Sequence, residues 1–153
     1  MRHAQVVLEL ERPAATWRLS PAGREAAERL AQRLAPVPRV LSSPEPKAVA
    51  TAEPIARLSG VALELDERLR EVGRADNLPT ADEHRAAVRT YLEGGDMPGW
   101  ESGAVARARF ADALAGVDDA AVVTHATVLS LFLGYGFDEW SGITLPDVIE
   151  WRP

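Results

Sequence analysis

The sequence predicts an α/β domain, a three-layer sandwich whose mainly parallel central sheet is flanked by helices. Two observations carry this. Short apolar, β-prone runs such as Arg39-Val40-Leu41-Ser42 and Ala120-Ala121-Val122-Val123-Thr124 alternate with longer segments whose apolar residues recur at helical spacing. That alternation is the pattern of helices packed on a parallel sheet. The chain also shows no repeats, low-complexity tracts or linkers across its 153 residues, so a single domain spanning 1–153 is expected.

Each element has a local reason. Val6-Val7-Leu8-Glu9-Leu10 is β-prone and is followed by a loop through Leu19. Ser20 then caps a helix with Pro21 at its first position, and Ala26, Ala27, Leu30, Ala31 and Leu34 form its inner face. Pro36 and Pro38 end it, and Arg39 to Ser42 reads as a short buried strand. Ser43 with Pro44 opens a second helix that runs through Ala48, Ala52 and Ile55 to a Gly60 stop. Val61 to Leu65 alternates like an edge strand, and Asp66 to Pro79 is charged and irregular. Thr80-Ala81-Asp82-Glu83 is a capping box for a helix carrying Val88, Tyr91 and Leu92, broken by the glycines and proline of 94–99. A further helix places Ala106, Phe110, Ala113 and Leu114 on one face and stops at Gly116. Ala120 to Thr124 is the clearest buried strand; His125 follows it, and a helix continues through Leu129 and Phe132. Pro146 to Trp151 reads as a last strand.

Composition narrows the function. Lys plus Arg number 17 against 23 Asp plus Glu, a net charge of −6, which argues against a general nucleic-acid binder and against an anionic membrane surface. There is no Cys, so disulfides, thiolate catalysis and Cys-ligated metals are excluded, and a reducing, cytoplasmic setting is expected. No apolar run approaches the ~18 residues of a spanning helix.

In parallel sheets, ligands bind beyond the carboxyl ends of the strands, where helix N-termini gather. Ser42, Ser43 and Lys47 follow one strand and His125 follows another, so two segments deliver polar groups to that edge. A lone His after a strand is most simply a buried, hydrogen-bonded residue, and Lys47 most simply a solvated one. A cation in the first turn of a helix nevertheless opposes the helix dipole, and a bound anion would remove the conflict. Glu71, between Arg70 and Arg74, reads either as a surface ion-pair residue or as a proton donor in an anion pocket. Arg74, Arg85 and Arg89 read as a solvated face or as contacts for substrate charge, and the four Trp residues as packing.

Five segments then fall into a family pattern. Arg2-His3-Ala4, Leu19-Ser20-Pro21-Ala22-Gly23, Ser42-Ser43-Pro44-Glu45-Pro46-Lys47-Ala48 with Thr51-Ala52, Leu69-Arg70-Glu71 with Gly73, and Val122-Val123-Thr124-His125-Ala126 stand in order along the chain. Together they resemble the signature of the histidine phosphatase superfamily, the phosphoglycerate-mutase-like enzymes. The resemblance implies a phosphomonoester hydrolase, or a mutase-like phosphoryl transferase, working through a phosphohistidine. It implies His3 as nucleophile, Glu71 as proton donor and His125 as a catalytic partner. Arg2, Lys47 and His125 would hold the phosphoryl oxygens. It implies a small phosphorylated substrate, no cofactor and no metal.

The sequence also departs from that pattern. Ala4 and Ala126 replace glycines, and Lys47 stands where an Arg is more usual, keeping the charge without the bidentate fork. Only Met1 precedes Arg2, where the family pattern has a central strand. That strand is expected to be missing, or replaced by Val6 to Leu10. Replacement would carry His3 away from the sheet edge and leave a catalytically impaired phosphate-binding or interaction protein of the same fold. An exposed sheet edge would favour pairing, which leaves a homo-oligomer open.

Overall fold

A computed structural model describes residues 1–9, 11–75 and 80–151. Helix α1 (Pro21–Leu34) leads to strand β1 (Arg39–Ser42), α2 (Pro46–Ser59) and β2 (Leu63–Leu65). Then come α3 (Ala81–Leu92), α4 (Gly103–Leu114), β3 (Ala120–Val123), α5 (Ala126–Leu133) and α6 (Phe137–Gly142). The strands form a parallel sheet in the order β2-β1-β3, with Val40 opposite Leu63 and Ala121.

Strand alternation divides the side chains between two helical layers. Val40, Ala121 and Val123 pack under α1 and α2 through Leu30, Ala31, Ala48, Ala52 and Ile55. Leu41 and Val122 face α4 and α5, against Phe110, Val128 and Leu129. The expected three layers are thus present. Ser20 caps α1 as its sequence predicts, its side chain accepting from the Gly23 N–H, and Thr80 does the same for Glu83 in α3. Gly60 ends α2 in the left-handed conformation, at φ 68°, that glycine adopts without cost. Among the described residues, no helix is long and apolar enough to cross a membrane.

A regular first strand is missing, as expected: among the described residues the sheet has three strands, and an isolated bridge through Arg2 stands beside β3, a place that Val6 to Glu9 do not take. Met1 to His3 lies beside β3. Thr124 N–H donates to Met1 O (2.9 Å) and His3 N–H to Thr124 O (3.0 Å), while Arg2 N–H donates on the other side to Asp147 O (3.0 Å). Arg2 therefore bridges Thr124 in parallel and Asp147 in antiparallel fashion. With those positions filled, Val6 pairs instead with Leu19, and Val7 and Leu8 stay largely exposed; Leu10 lies outside the described residues.

Three other expectations are corrected. Pro146 to Trp151 is no strand: beyond the Asp147 bridge, a cavity of about 870 Å³ bounded by Ala120–Val122 and Val148–Trp151 separates the tail from β3. The second helix starts at Pro46 rather than Ser43, because the Ser43 hydroxyl accepts from the Glu45 N–H and holds a turn ahead of Glu45, the N-cap. In the irregular 66–79 stretch, Glu67–Leu69 forms a 3-10 turn; Asp76 to Pro79 lie outside the described residues. Helix α6, behind the Gly134–Gly136 break, was not anticipated; Phe137 and Trp140 bury it.

Gly23 shows why the Leu-Ser-Pro-Ala-Gly segment has its composition. A Cβ there would stand 2.0 Å from Gln5 O, which accepts from Ser20 N–H. The substitution Gly23→Ala must push the 3–5 segment off α1, with an expected loss of about 1–3 kcal/mol in urea unfolding.

Candidate active site

Every polar residue that the sequence placed at the sheet edge converges there. His3 is brought in by the Met1–His3 pairing and is 7% exposed. Its Nδ1–H donates to its neighbour's carbonyl, Ala4 O, at 2.8 Å, which leaves the Nε2 lone pair uncommitted. The Ala4 N–H donates to Thr51 Oγ1 (3.0 Å), and that hydroxyl donates in turn to Lys47 O (2.7 Å). Thr51 of the Ser-Ser-Pro segment therefore fixes the backbone that carries His3.

His125, directly after β3 and fully buried, is the N-cap of α5. Its ring centroid lies 5.1 Å from that of His3, at 59°, and its Nε2 lies 2.8 Å from Ser43 Oγ. Burial lowers the pKa of His3 to about 3, with the charges of Lys47 and Arg2 adding to the shift and the Ala4 bond opposing it. Burial likewise drives His125 well below the usual imidazole range, helped by His3, Lys47, Arg2 and Arg109. Both rings are neutral at physiological pH.

Arg2 donates to Ile143 O (2.6 Å) from one terminal nitrogen, while its Nε is buried without a partner. His125 Nδ1 is buried without a partner too. Buried polar atoms of this kind are rare in folded proteins because each costs about 1–3 kcal/mol, and an oxyanion would satisfy both.

Glu71 is held from several sides. Its carboxylate accepts from Val72, Thr127 and Val128 N–H, the last two at the start of α5. The Arg109 guanidinium donates to the carbonyls of Arg68, Arg70 and Glu71, and it forks onto Glu101 with two 2.8 Å bonds. Glu101 also accepts from Gly73 N–H. Burial opposes ionisation of Glu101, yet the Arg109 bond, the Gly73 N–H and the charges of Arg109 and Arg70 prevail and bring its pKa to about 2.

Lys47 is buried, not solvated. Its ammonium donates to Ala14 O (2.7 Å) and to Glu45 Oε2. Glu45 Oε1 accepts from Glu71 N–H (2.8 Å) and lies 3.4 Å from His125 Nε2. Glu45 has no role assigned by its motif; its signal in the sequence is a carboxylate two positions before the motif's cation. Arg109 and Glu101 were missed outright, since the carbonyls they organise lie some forty residues away in the chain. Arg74, Arg85 and Arg89 are neither simply solvated nor at the phosphoryl residues. Arg74 lies over Trp100 and close to His84, while Arg85 and Arg89 lie over Phe137. Trp140 packs in the core as expected, whereas Trp151 is 42% exposed.

A neutral, oriented imidazole beside a second histidine, two cations and helix N-terminal N–H groups, on the carboxyl edge of a parallel sheet, defines a phosphoryl-handling α/β enzyme. The family comparison agrees. The model of the histidine phosphatase superfamily (branch 1) matches residues 1–147, and the chain belongs to that superfamily, a class of metal-independent, phosphoglycerate-mutase-like phosphatases.

Solved structures share the fold. YhfR from Bacillus stearothermophilus superposes with a TM-score of 0.72 at 23% identity, over 91% of this chain and 80% of that one. A mycobacterial glucosyl-3-phosphoglycerate phosphatase gives 0.65 at 22%, over 93% and 81%. The phosphoserine phosphatase of Entamoeba histolytica gives 0.68 at 19%, over 95% and 84%. No curated protein matches the chain by sequence.

Two predictions follow from this geometry. Thr51→Val removes the acceptor of the buried Ala4 N–H and should cost about 1–3 kcal/mol in urea unfolding, with turnover lowered together with stability. Acid should also destabilise the fold. His3 and His84 take up protons on unfolding once the pH falls below the ordinary imidazole pKa of about 6.5, because their folded pKa values are about 3 and about 4. The contribution of these histidines is therefore full above about 6.5 and falls below it, by up to about 1.4 kcal/mol per pH unit for each. Glu101 adds its own loss between 4.5 and about 2. Unfolding midpoints in urea at successive pH values read the slope, and Glu101→Gln should flatten it at the acid end.

Proposed function

We propose that the protein hydrolyses a small phosphate monoester through a phosphohistidine on His3. The observation that carries this reading is the state of His3: neutral, buried, and with Nδ1–H committed to Ala4 O, so that Nε2 presents a lone pair beside His125. In the first step that lone pair attacks phosphorus in line, the ester P–O bond breaks, and the leaving oxygen takes a proton from Glu71. In the second, water attacks the phosphorus, its proton passes to Glu71, the P–N bond breaks, and phosphate leaves with His3 restored. Negative charge spread over the equatorial oxygens needs fixed donors. Arg2 Nε, His125 Nδ1 and the Lys47 ammonium supply them.

The phosphatase names of two structural neighbours and the superfamily match support hydrolysis over mutase-like transfer. The Met1–His3 pairing supports a competent site over an impaired relative, because it holds His3 at the sheet edge. The absence of Cys supports a cytoplasmic setting.

Wild-type protein should release phosphate from p-nitrophenyl phosphate, and His3→Ala should lower that turnover at least about 10³-fold while unfolding normally. Rapid quenching in base should trap an acid-labile phosphohistidine in wild-type protein alone. Equal turnover in both proteins would sink the assignment. Because His3 titrates near 3, its protonation should not limit kcat/KM between pH 7 and pH 5.

A further inference from the structure

The Glu45 carboxylate, paired with Lys47, is a feature of the pocket that an anion site does not need. Lys carries three N–H donors. Two are engaged, by Ala14 O and Glu45 Oε2, so a single donor is left for a phosphoryl oxygen. The Glu45 carboxylate is itself 9% exposed and touches three parts of the site: the Lys47 ammonium, the Glu71 N–H and the His125–Ser43 pair.

The charge balance follows from the same contacts. The groups facing Glu45 and the phosphoryl position are Lys47 on α2, Arg2 and His3 on the N-terminal segment, Glu71 after the 3-10 turn, and His125 before α5. Lys47 and Arg2 are cations, Glu71 is the proton donor of the first step and both histidines are neutral, so Glu45 is the fixed anion of the set. A phosphate dianion thus enters a pocket in which one of its two cations is already paired with the fixed Glu45 carboxylate. At short range and partial burial, like-charge repulsion of this kind is worth several-fold to well over tenfold in affinity.

We propose that Glu45 is a built-in counter-anion that shares Lys47 with the bound phosphoryl group and weakens the pocket's grip on free phosphate. The inference rests on the phosphatase reading and adds to it a determinant of affinity. Its consequence for turnover is easier release of the phosphate product, at the expense of a weaker hold on the substrate's phosphoryl group.

The test uses tungstate, a tetrahedral dianion whose charge is constant near neutral pH, titrated calorimetrically into wild-type protein, Glu45→Gln and Glu45→Asp. The amide keeps an acceptor for the Glu71 N–H and removes the charge, whereas Asp keeps the charge. Glu45→Gln should bind tungstate about tenfold more tightly. Glu45→Asp should not tighten. A folded Glu45→Gln that binds tungstate no better than wild type overturns the inference and leaves the phosphatase reading intact, as that is judged by His3→Ala. Should Glu45→Gln fail to fold, Glu45→Ser replaces it in the same titration: a folded Glu45→Ser that binds tungstate no better than wild type overturns the inference, and tighter binding supports it. Failure of both proteins to bind tungstate overturns the inference together with the phosphate pocket.

Discussion

The short backbone pairing of Met1 to His3 is the constraint on which the rest of the site depends. Those residues accept and donate on one side to Thr124 and on the other to Asp147. The row they complete ends where β1 and β3 end, so His3 emerges at the carboxyl edge beside His125. Two further devices keep it there. The Ala4 N–H is tied to Thr51 on α2, and the close passage of Gln5 over Gly23 leaves no room for the chain to shift toward α1. A nucleophile at the third residue is usually a poor prospect, because chain ends fray. Here the pairing on both flanks removes that freedom.

Around this edge the protein buries a charged pair, Lys47 and Glu45. Ion pairs taken out of water are not sources of stability in themselves, since desolvation offsets the attraction. Their value here is positional. Arg109, clamped by Glu101, collects the carbonyls of Arg68, Arg70 and Glu71, and Glu71 in turn caps α5, whose first turn follows His125. Glu45 links Lys47, the Glu71 backbone and His125. Each functional side chain is thus oriented by a neighbour that is itself held, which is what a site handling charge without reorganisation requires. The same burial keeps both histidines neutral, so that one of them is available as a nucleophile.

Much of this was legible in the sequence. Ser20-Pro21, Thr80 with Glu83 and the Gly60 stop announce their helix ends because capping is a local transaction between residues three or four apart. Val40-Leu41 and Ala120 to Val123 announce buried strands because both faces of the sheet are covered. His3, Lys47, Glu71 and His125 could be singled out because their motifs keep their order along the chain. The expectations that failed share a cause. Val6 to Leu10 and Pro146 to Trp151 have strand-like composition, but a strand exists only where a partner edge is free. Met1 to His3 had taken one position, and a cavity separated the tail from β3.

The sequence by itself determined the alternation of helices and strands, the caps, and the set of residues able to handle a phosphoryl group, since all of these are written in local pattern and side-chain chemistry. Tertiary structure decided which backbone fills the place beside β3, that Lys47 is buried and half-committed to Glu45, and that Arg109 and Glu101 govern the placement of Glu71. Those outcomes depend on contacts between residues far apart in the chain. Burial and shared hydrogen bonds, rather than residue type, set the charge state of each group.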